Sequence, residues 1–114
     1  MNWTILDTHE QLESIAQECE VGPVVIYKHS YRCSIATVAH NRIDSATELS
    51  QSSAYILDVV KHRDISLQIA ETYSVQHESP QILVLYKGEV VYHTSHLGIT
   101  PGELADQISA LAAA

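Results

Sequence analysis

Apolar residues recur along this chain with two spacings, one typical of strands and one typical of amphipathic helices. Five short, nearly continuous apolar runs predict strands at 3–6, 24–28, 54–60, 81–86 and 89–94. Helical periodicity predicts four helices, which start near residues 8, 34, 65 and 101. The order β-α-β-α-β-α-β-β-α indicates an α/β fold built as a single domain over residues 1–114.

The strand patterns also predict how the sheet is assembled. The second and third strands are apolar at consecutive positions, which favours a sheet covered on both faces and parallel pairing between them. Lys87-Gly88 joins the last two strands tightly, so these strands are expected to form an antiparallel hairpin. We therefore expect a central mixed sheet of five strands flanked by four helices, with the first strand between the third and the second.

The first helix carries clear signals at its start and on its buried face. Residues 7–11 contain two overlapping capping boxes, in which a short polar side chain precedes a glutamate or glutamine by three positions. Cys19 shares its helical phase with Leu12 and Ile15. We expect Cys19 to be a buried, redox-silent core residue, because a cysteine on an apolar stripe behaves as a small hydrophobe.

Composition and charge limit the partners of the chain. Its 114 residues are 46% hydrophobic and 18% charged, and no apolar run is long enough for a membrane span. The first residues lack the features of a secretory signal, and the two cysteines need not pair, so we expect a reducing, cytoplasmic location. The formal charge of −8 argues against nucleic acid and anionic membranes as partners.

The second cysteine, Cys33, lies where a buried strand gives way to an amphipathic helix. The first turn of a helix favours a thiolate, since its N–H groups are unpaired and its dipole is positive there. Lys28, His29 and Arg32 add positive charge nearby, and such surroundings lower the pKa of a cysteine. Cys33 is therefore a candidate nucleophile, and the alternative is a small buried residue at a strand end.

The order of elements resembles the thioredoxin fold over the whole chain. The features that carry the resemblance are a cysteine after the second strand, and Ser79-Pro80 before the terminal hairpin. In that fold the proline at this position is cis and faces the reactive cysteine, so Ser79 and Pro80 are expected to form one wall of the site. Without the resemblance, Pro80 would be interpreted as a trans proline that opens an edge strand.

Within this superfamily, the motifs 28–33 (KHSYRC) and 78–81 (ESPQ) resemble the monothiol bacilliredoxins of the bacillithiol system, the YtxJ type. Ser34 and Ala36 depart from the proline and serine that this family typically carries. Ala36 also occupies the position of the resolving cysteine in dithiol thioredoxins, and Tyr27 that of their buried aspartate. Both differences indicate chemistry that uses one cysteine.

The resemblance implies thiol–disulfide exchange, with Cys33 as the catalytic residue. The residues expected to bind substrate are Lys28, His29, Ser30, Arg32, Ser34, Ser79 and Pro80. No metal or resident cofactor is implied, and bacillithiol would be a co-substrate. The implied partners are S-thiolated proteins, a low-molecular-weight thiol, and another redoxin as a candidate for regeneration.

The sequence is also compatible with three other interpretations. A glutathione-type monothiol glutaredoxin is one, although the usual Cys-Gly-Phe-Ser motif is absent. A non-catalytic thioredoxin-like binding module, in which Ala36 marks a loss of activity, is the second. The third is a metal site, for which only His29, Cys33 and His77 could converge.

Overall fold

The computed structural model describes residues 3–29, 53–95 and 101–113, which form a five-stranded mixed sheet with helices on both faces. The strands are β1 (Thr4–Ile5), β2 (Val24–His29), β3 (Ser53–Asp58), β4 (Gln81–Tyr86) and β5 (Glu89–Ser95). The helices of the described ranges are α1 (Glu10–Val21), α2 (Arg63–Thr72) and α3 (Pro101–Ala113). The fourth predicted helix, which follows Cys33, lies outside these ranges.

The strands are arranged in the order β1-β3-β2-β4-β5, so the predicted position of β1 between β3 and β2 is wrong. β1 and β2 both pair in parallel with β3, and β4 and β5 continue the sheet antiparallel on the far side of β2. The physical reason lies in burial. Both residues of β1 are exposed, whereas all six residues of β2 are buried, as expected for an edge strand and a central strand.

The two faces of the sheet bury separate hydrophobic clusters, as the continuous apolar runs predicted. Side chains of a strand alternate between faces, and in β2 Val24 and Ile26 pack on one side while Val25 and Tyr27 pack on the other. α1 and α2 cover the first side with Ile15, Cys19, Ile65 and Ile69. α3 covers the second side with Leu104, Ile108 and Leu111.

The start of α1 confirms one of the predicted capping boxes. Gln11 Oε1 accepts hydrogen bonds from the backbone N–H groups of Asp7, at 2.8 Å, and Thr8, at 3.0 Å. The N–H of Gln11 in turn donates to Thr8 Oγ1 at 3.4 Å. Further along the helix, Cys19 is fully buried, and its thiol donates to the carbonyl of Ala16.

Short turns set the ends of β3 and of the hairpin. β3 ends at Asp58, two residues before the predicted end, because Asp58 Oδ1 accepts hydrogen bonds from the N–H groups of Val60 and Lys61 and so fixes a turn. Lys87 and Gly88 both have positive φ, which is typical of the two-residue turns that match strand twist. No helix in the described ranges is both long and apolar enough to cross a membrane.

Candidate functional site

The sheet brings two of the predicted site segments together. Lys28 and His29 end β2, and Lys28 pairs with Gln81, the residue that directly follows Pro80. The Ser79–Pro80 peptide bond is cis, as the resemblance to the thioredoxin fold predicted. The predicted site residues Ser30, Arg32, Cys33 and Ser34 lie outside the described residues. The end of β2, from which the chain continues toward Cys33, therefore lies beside the cis proline.

Lys28 is a buried lysine near the end of the inner strand β2. Its side chain is fully buried, and Nζ donates to the carbonyl oxygen of Ser66 at 3.3 Å. The same amine lies 3.4 Å from His77 Nδ1. Burial lowers the pKa of Lys28 to about 8. The group is thus an ammonium at neutral pH, but it loses its proton far more readily than a surface lysine.

His77 is half-buried and reaches the amine of Lys28 from the loop that precedes Pro80. Its Nδ1 lies 2.9 Å from Ser66 Oγ as well as near the amine of Lys28. Burial, and then the positive charges of Lys28 and Arg63, lower the pKa of His77, while the carboxylate of Glu78 acts in the opposite direction. A neutral imidazole is therefore favoured at pH 7, and its Nδ1 can accept a hydrogen bond.

His29 faces the opposite side of the sheet from Lys28, since the two residues are adjacent in β2. It is 1% exposed, and its Nδ1 lies 3.3 Å from the hydroxyl of Tyr27. The Tyr27 ring packs edge-on against His29 with centroids 5.4 Å apart, and Trp3 packs against Tyr27 at 5.7 Å. A row of aromatic rings thus occupies the side of β2 where thioredoxins keep a buried aspartate.

The segment around Pro80 contains buried polar atoms that can form further hydrogen bonds. Ser79 Oγ and Gln81 Oε1 are both buried, and neither forms a hydrogen bond within the described part of the protein. Gln81 Nε2 donates to the carbonyl of Gln76 at 3.0 Å. Buried polar groups usually have partners, so this segment could accept a further hydrogen bond.

The sequence did not reveal that Ser66 and His77 join Lys28. Ser66 follows a core position of α2 without a periodic signal of its own, and the sequence indicates His77 only as a candidate metal ligand. Among the described residues, no group of three His, Cys, Asp or Glu side chains is placed to hold a metal ion. Cys33, the third residue considered for a metal site, lies outside them.

The burial of Lys28 and His29 bears on their predicted contact with substrate. Both side chains are buried, and polar atoms of both have neighbours within the protein. Direct binding of a substrate by these two residues stays a prediction, and their geometry favours an indirect role.

Comparison with known proteins assigns the family. The model of the family described as monothiol bacilliredoxin BrxC matches residues 4–104. The chain belongs to the monothiol bacilliredoxin family. Family membership and a thioredoxin-like fold together support a thiol redox function for this bacilliredoxin.

Solved structures agree with this fold. One, provisionally described as an oxidoreductase with a thioredoxin fold, is 31% identical, with 90% of each chain covered and a TM-score of 0.80. Thioredoxin from Trypanosoma brucei brucei is 16% identical, with a TM-score of 0.73 over 99% of this chain and 93% of its own. Fasciola hepatica thioredoxin is 17% identical, with a TM-score of 0.71 over 93% of this chain and 96% of its own. The two thioredoxins show the shared fold alone.

Proposed function

We propose that this bacilliredoxin removes a low-molecular-weight thiol from protein mixed disulfides through Cys33. The observation that carries the proposal is the family match over 4–104. It is supported by the pairing of Lys28 with Gln81, which places the end of β2 beside the cis Ser79–Pro80 bond. Extended substrates commonly bind by pairing with exposed backbone, and Ser79-Pro80 is the segment proposed to present it.

The proposed reaction is a single exchange of disulfide partners. The Cys33 thiolate attacks the sulfur of the small thiol, a new disulfide forms between the two, and the protein disulfide breaks. The electron pair leaves with the protein sulfur, which takes up a proton from solvent. A second small thiol, or a partner redoxin, then attacks the Cys33 mixed disulfide and regenerates the free thiolate.

The cysteine content supports a mechanism that uses one thiol. Ala36 carries no sulfur with which Cys33 could form an internal Cys-x-x-Cys disulfide. Cys19 is fully buried under the sheet, in a cluster that includes Ile15 and Ile69. The mixed disulfide on Cys33 would therefore persist until an external thiol resolves it.

Bacillithiol is the small thiol that the family suggests. Its carboxylates require a positively charged or hydrogen-bonding surface, and the candidates outside the buried end of β2 are Ser30, Arg32 and Ser34. The chain carries only six Lys and Arg residues and a formal charge of −8, so a cation such as Arg32 would be a local exception. Arg binds carboxylates in a bidentate manner, which favours Arg32 for this role.

The thiol can be identified by intact-mass analysis of the reduced protein after separate incubation with oxidised bacillithiol and oxidised glutathione. We expect the bacillithiol adduct to form faster, and peptide mapping to place it on Cys33. Equal or faster glutathione adducts would instead support a glutaredoxin-type function. The absence of any adduct would support the non-catalytic binding module.

A further inference from the structure

Lys28 carries a positive charge in a buried position, where a charge is unfavourable. Its side chain is fully buried, and among the residues of the described ranges no carboxylate lies within ion-pair distance of its amine. Removing an ammonium group from water is strongly unfavourable unless partners compensate. The two partners that its amine has here are a carbonyl and an imidazole, both uncharged. A buried ionisable group of this kind beside a candidate site indicates a functional role.

The amine of Lys28 connects three segments that are distant in sequence. Lys28 itself lies at the end of β2, Ser66 lies in the first turn of α2, and His77 lies three residues before Pro80. Ser66 Oγ closes the cluster through its contact with His77 Nδ1 at 2.9 Å. The cluster thus ties the loop before the cis proline to the strand that leads toward Cys33.

We propose that Lys28 is a positioning residue of the redox site. Its ammonium group holds the segment 76–80 in place for substrate, and deprotonation of Lys28 loosens this segment. This inference rests on the exchange chemistry proposed for Cys33. A charge-assisted hydrogen bond is about twice as strong as a neutral one. Loss of the Lys28 proton would therefore weaken its bonds to Ser66 and His77.

Within the described part of the protein, two other charged groups act on this cluster. Arg63 of α2 carries the same charge as Lys28, and Glu78 of the loop carries the opposite charge, so their effects on His77 oppose each other. The strand neighbours of Lys28 are Leu57 in β3 and Gln81 in β4, and both are uncharged. Among the described groups, Lys28 is therefore the one whose titration changes the charge of the cluster above neutral pH.

The test compares two rates at Cys33 between pH 6 and 10. Alkylation by iodoacetamide requires only the thiolate, whereas release of the small thiol also requires a docked substrate. Both rates depend on the fraction of Cys33 that is thiolate, so this fraction cancels in the ratio of release to alkylation. The ratio therefore reports how well the substrate is positioned. Because burial lowers the pKa of Lys28 to about 8, we expect the wild-type ratio to fall on the order of tenfold between pH 7 and 9. Misplacement of reacting groups by 1 Å can lower a reaction rate by ~100-fold.

Lys28→Met should show a low ratio that no longer changes with pH. Lys61→Met, which removes an exposed lysine, should follow the wild type and serves as the matched control. His77→Leu should also lower the ratio at pH 7, whereas His77→Gln should retain it, because its amide oxygen can accept from Lys28. A wild-type ratio and pH profile in Lys28→Met would overturn the proposal.

A second measurement separates this proposal from the exchange function. The carbonyl ¹³C shifts of residues 77–79 should titrate with a midpoint near pH 8 in the wild type, and Lys28→Met should lack this transition. Alkylation of Cys33 without release of small thiol would overturn the exchange function alone. Shifts that do not titrate, or that titrate equally in Lys28→Met, would overturn the role of Lys28.

Discussion

At the scale of single residues, Lys28 shows a conflict between stability and function. Its pKa falls from 10.5 to about 8, and one pKa unit corresponds to roughly 1.4 kcal/mol. The buried ammonium therefore reduces the free energy of unfolding by up to ~3 kcal/mol at neutral pH. Functional sites commonly keep such unfavourable groups at the expense of stability.

Replacement of Lys28 by methionine should accordingly stabilise the protein at pH 7, by up to ~3 kcal/mol. The folded lysine binds fewer protons than the unfolded one between about pH 8 and 10.5. Wild-type stability should thus rise relative to Lys28→Met across that window, and the advantage of the variant should shrink. Urea unfolding of both proteins from pH 7 to 10 measures the difference.

Subtraction of the two unfolding curves cancels contributions common to both proteins. Tyr55 is one such contribution, because burial and the nearby Glu18 carboxylate raise its pKa to about 12. Lys61→Met is again the control, with an expected change within about 0.5 kcal/mol. A Lys28→Met protein that is less stable than the wild type at pH 7 would contradict this account of the buried amine.

At the scale of elements, local sequence signals predicted most boundaries correctly. The contacts between Thr8 and Gln11 lie at the start of α1, the Lys87-Gly88 pair makes the hairpin turn, and α3 begins at Pro101. Each of these depends on residues within a few positions of one another. The end of β3 was missed because Asp58 captures two backbone N–H groups and starts a turn within an apolar run.

Replacement of Gln11 by alanine should destabilise the protein, since Gln11 satisfies two N–H groups ahead of α1. Losses of helix caps typically cost ≈ 0.5–2 kcal/mol. Urea unfolding should therefore show a lower midpoint with an unchanged slope. Gln17→Ala is the matched control, because Gln17 is an exposed glutamine of the same helix. An equal loss in both variants would show that the capping contacts do not stabilise α1.

At the scale of the whole molecule, the sequence predicted the fold class but not every long-range relation. Continuous apolar runs in β2 and β3 indicated two covered faces, and the resemblance to thioredoxins indicated the cis Ser79–Pro80 bond. The predicted strand order was wrong, because apolar periodicity indicates which strands are buried but not which strands are neighbours. The shortness and exposure of β1 are what place it at the edge.

The polar cluster of Lys28, Ser66 and His77 could not be predicted from the sequence either. Lys28, Ser66 and His77 are separated by 38 and 11 positions, and none of them lies in a motif with the others. The sequence did show Lys28 as a cation near Cys33, and that interpretation suggested direct contact with substrate. Burial of the amine between a carbonyl and an imidazole became evident only from the packing of α2 on β2.

We propose that Cys33 alone performs the exchange. The most direct measurement is release of bacillithiol from a bacillithiolated protein by the wild type, Cys33→Ser and Cys19→Ser, with the regenerating thiol withheld. We expect Cys33→Ser to release none, and Cys19→Ser to release nearly as much as the wild type because Cys19 is fully buried. The wild type should accumulate one mixed disulfide on Cys33. Release by Cys33→Ser, or release by the wild type without that adduct, would contradict the account.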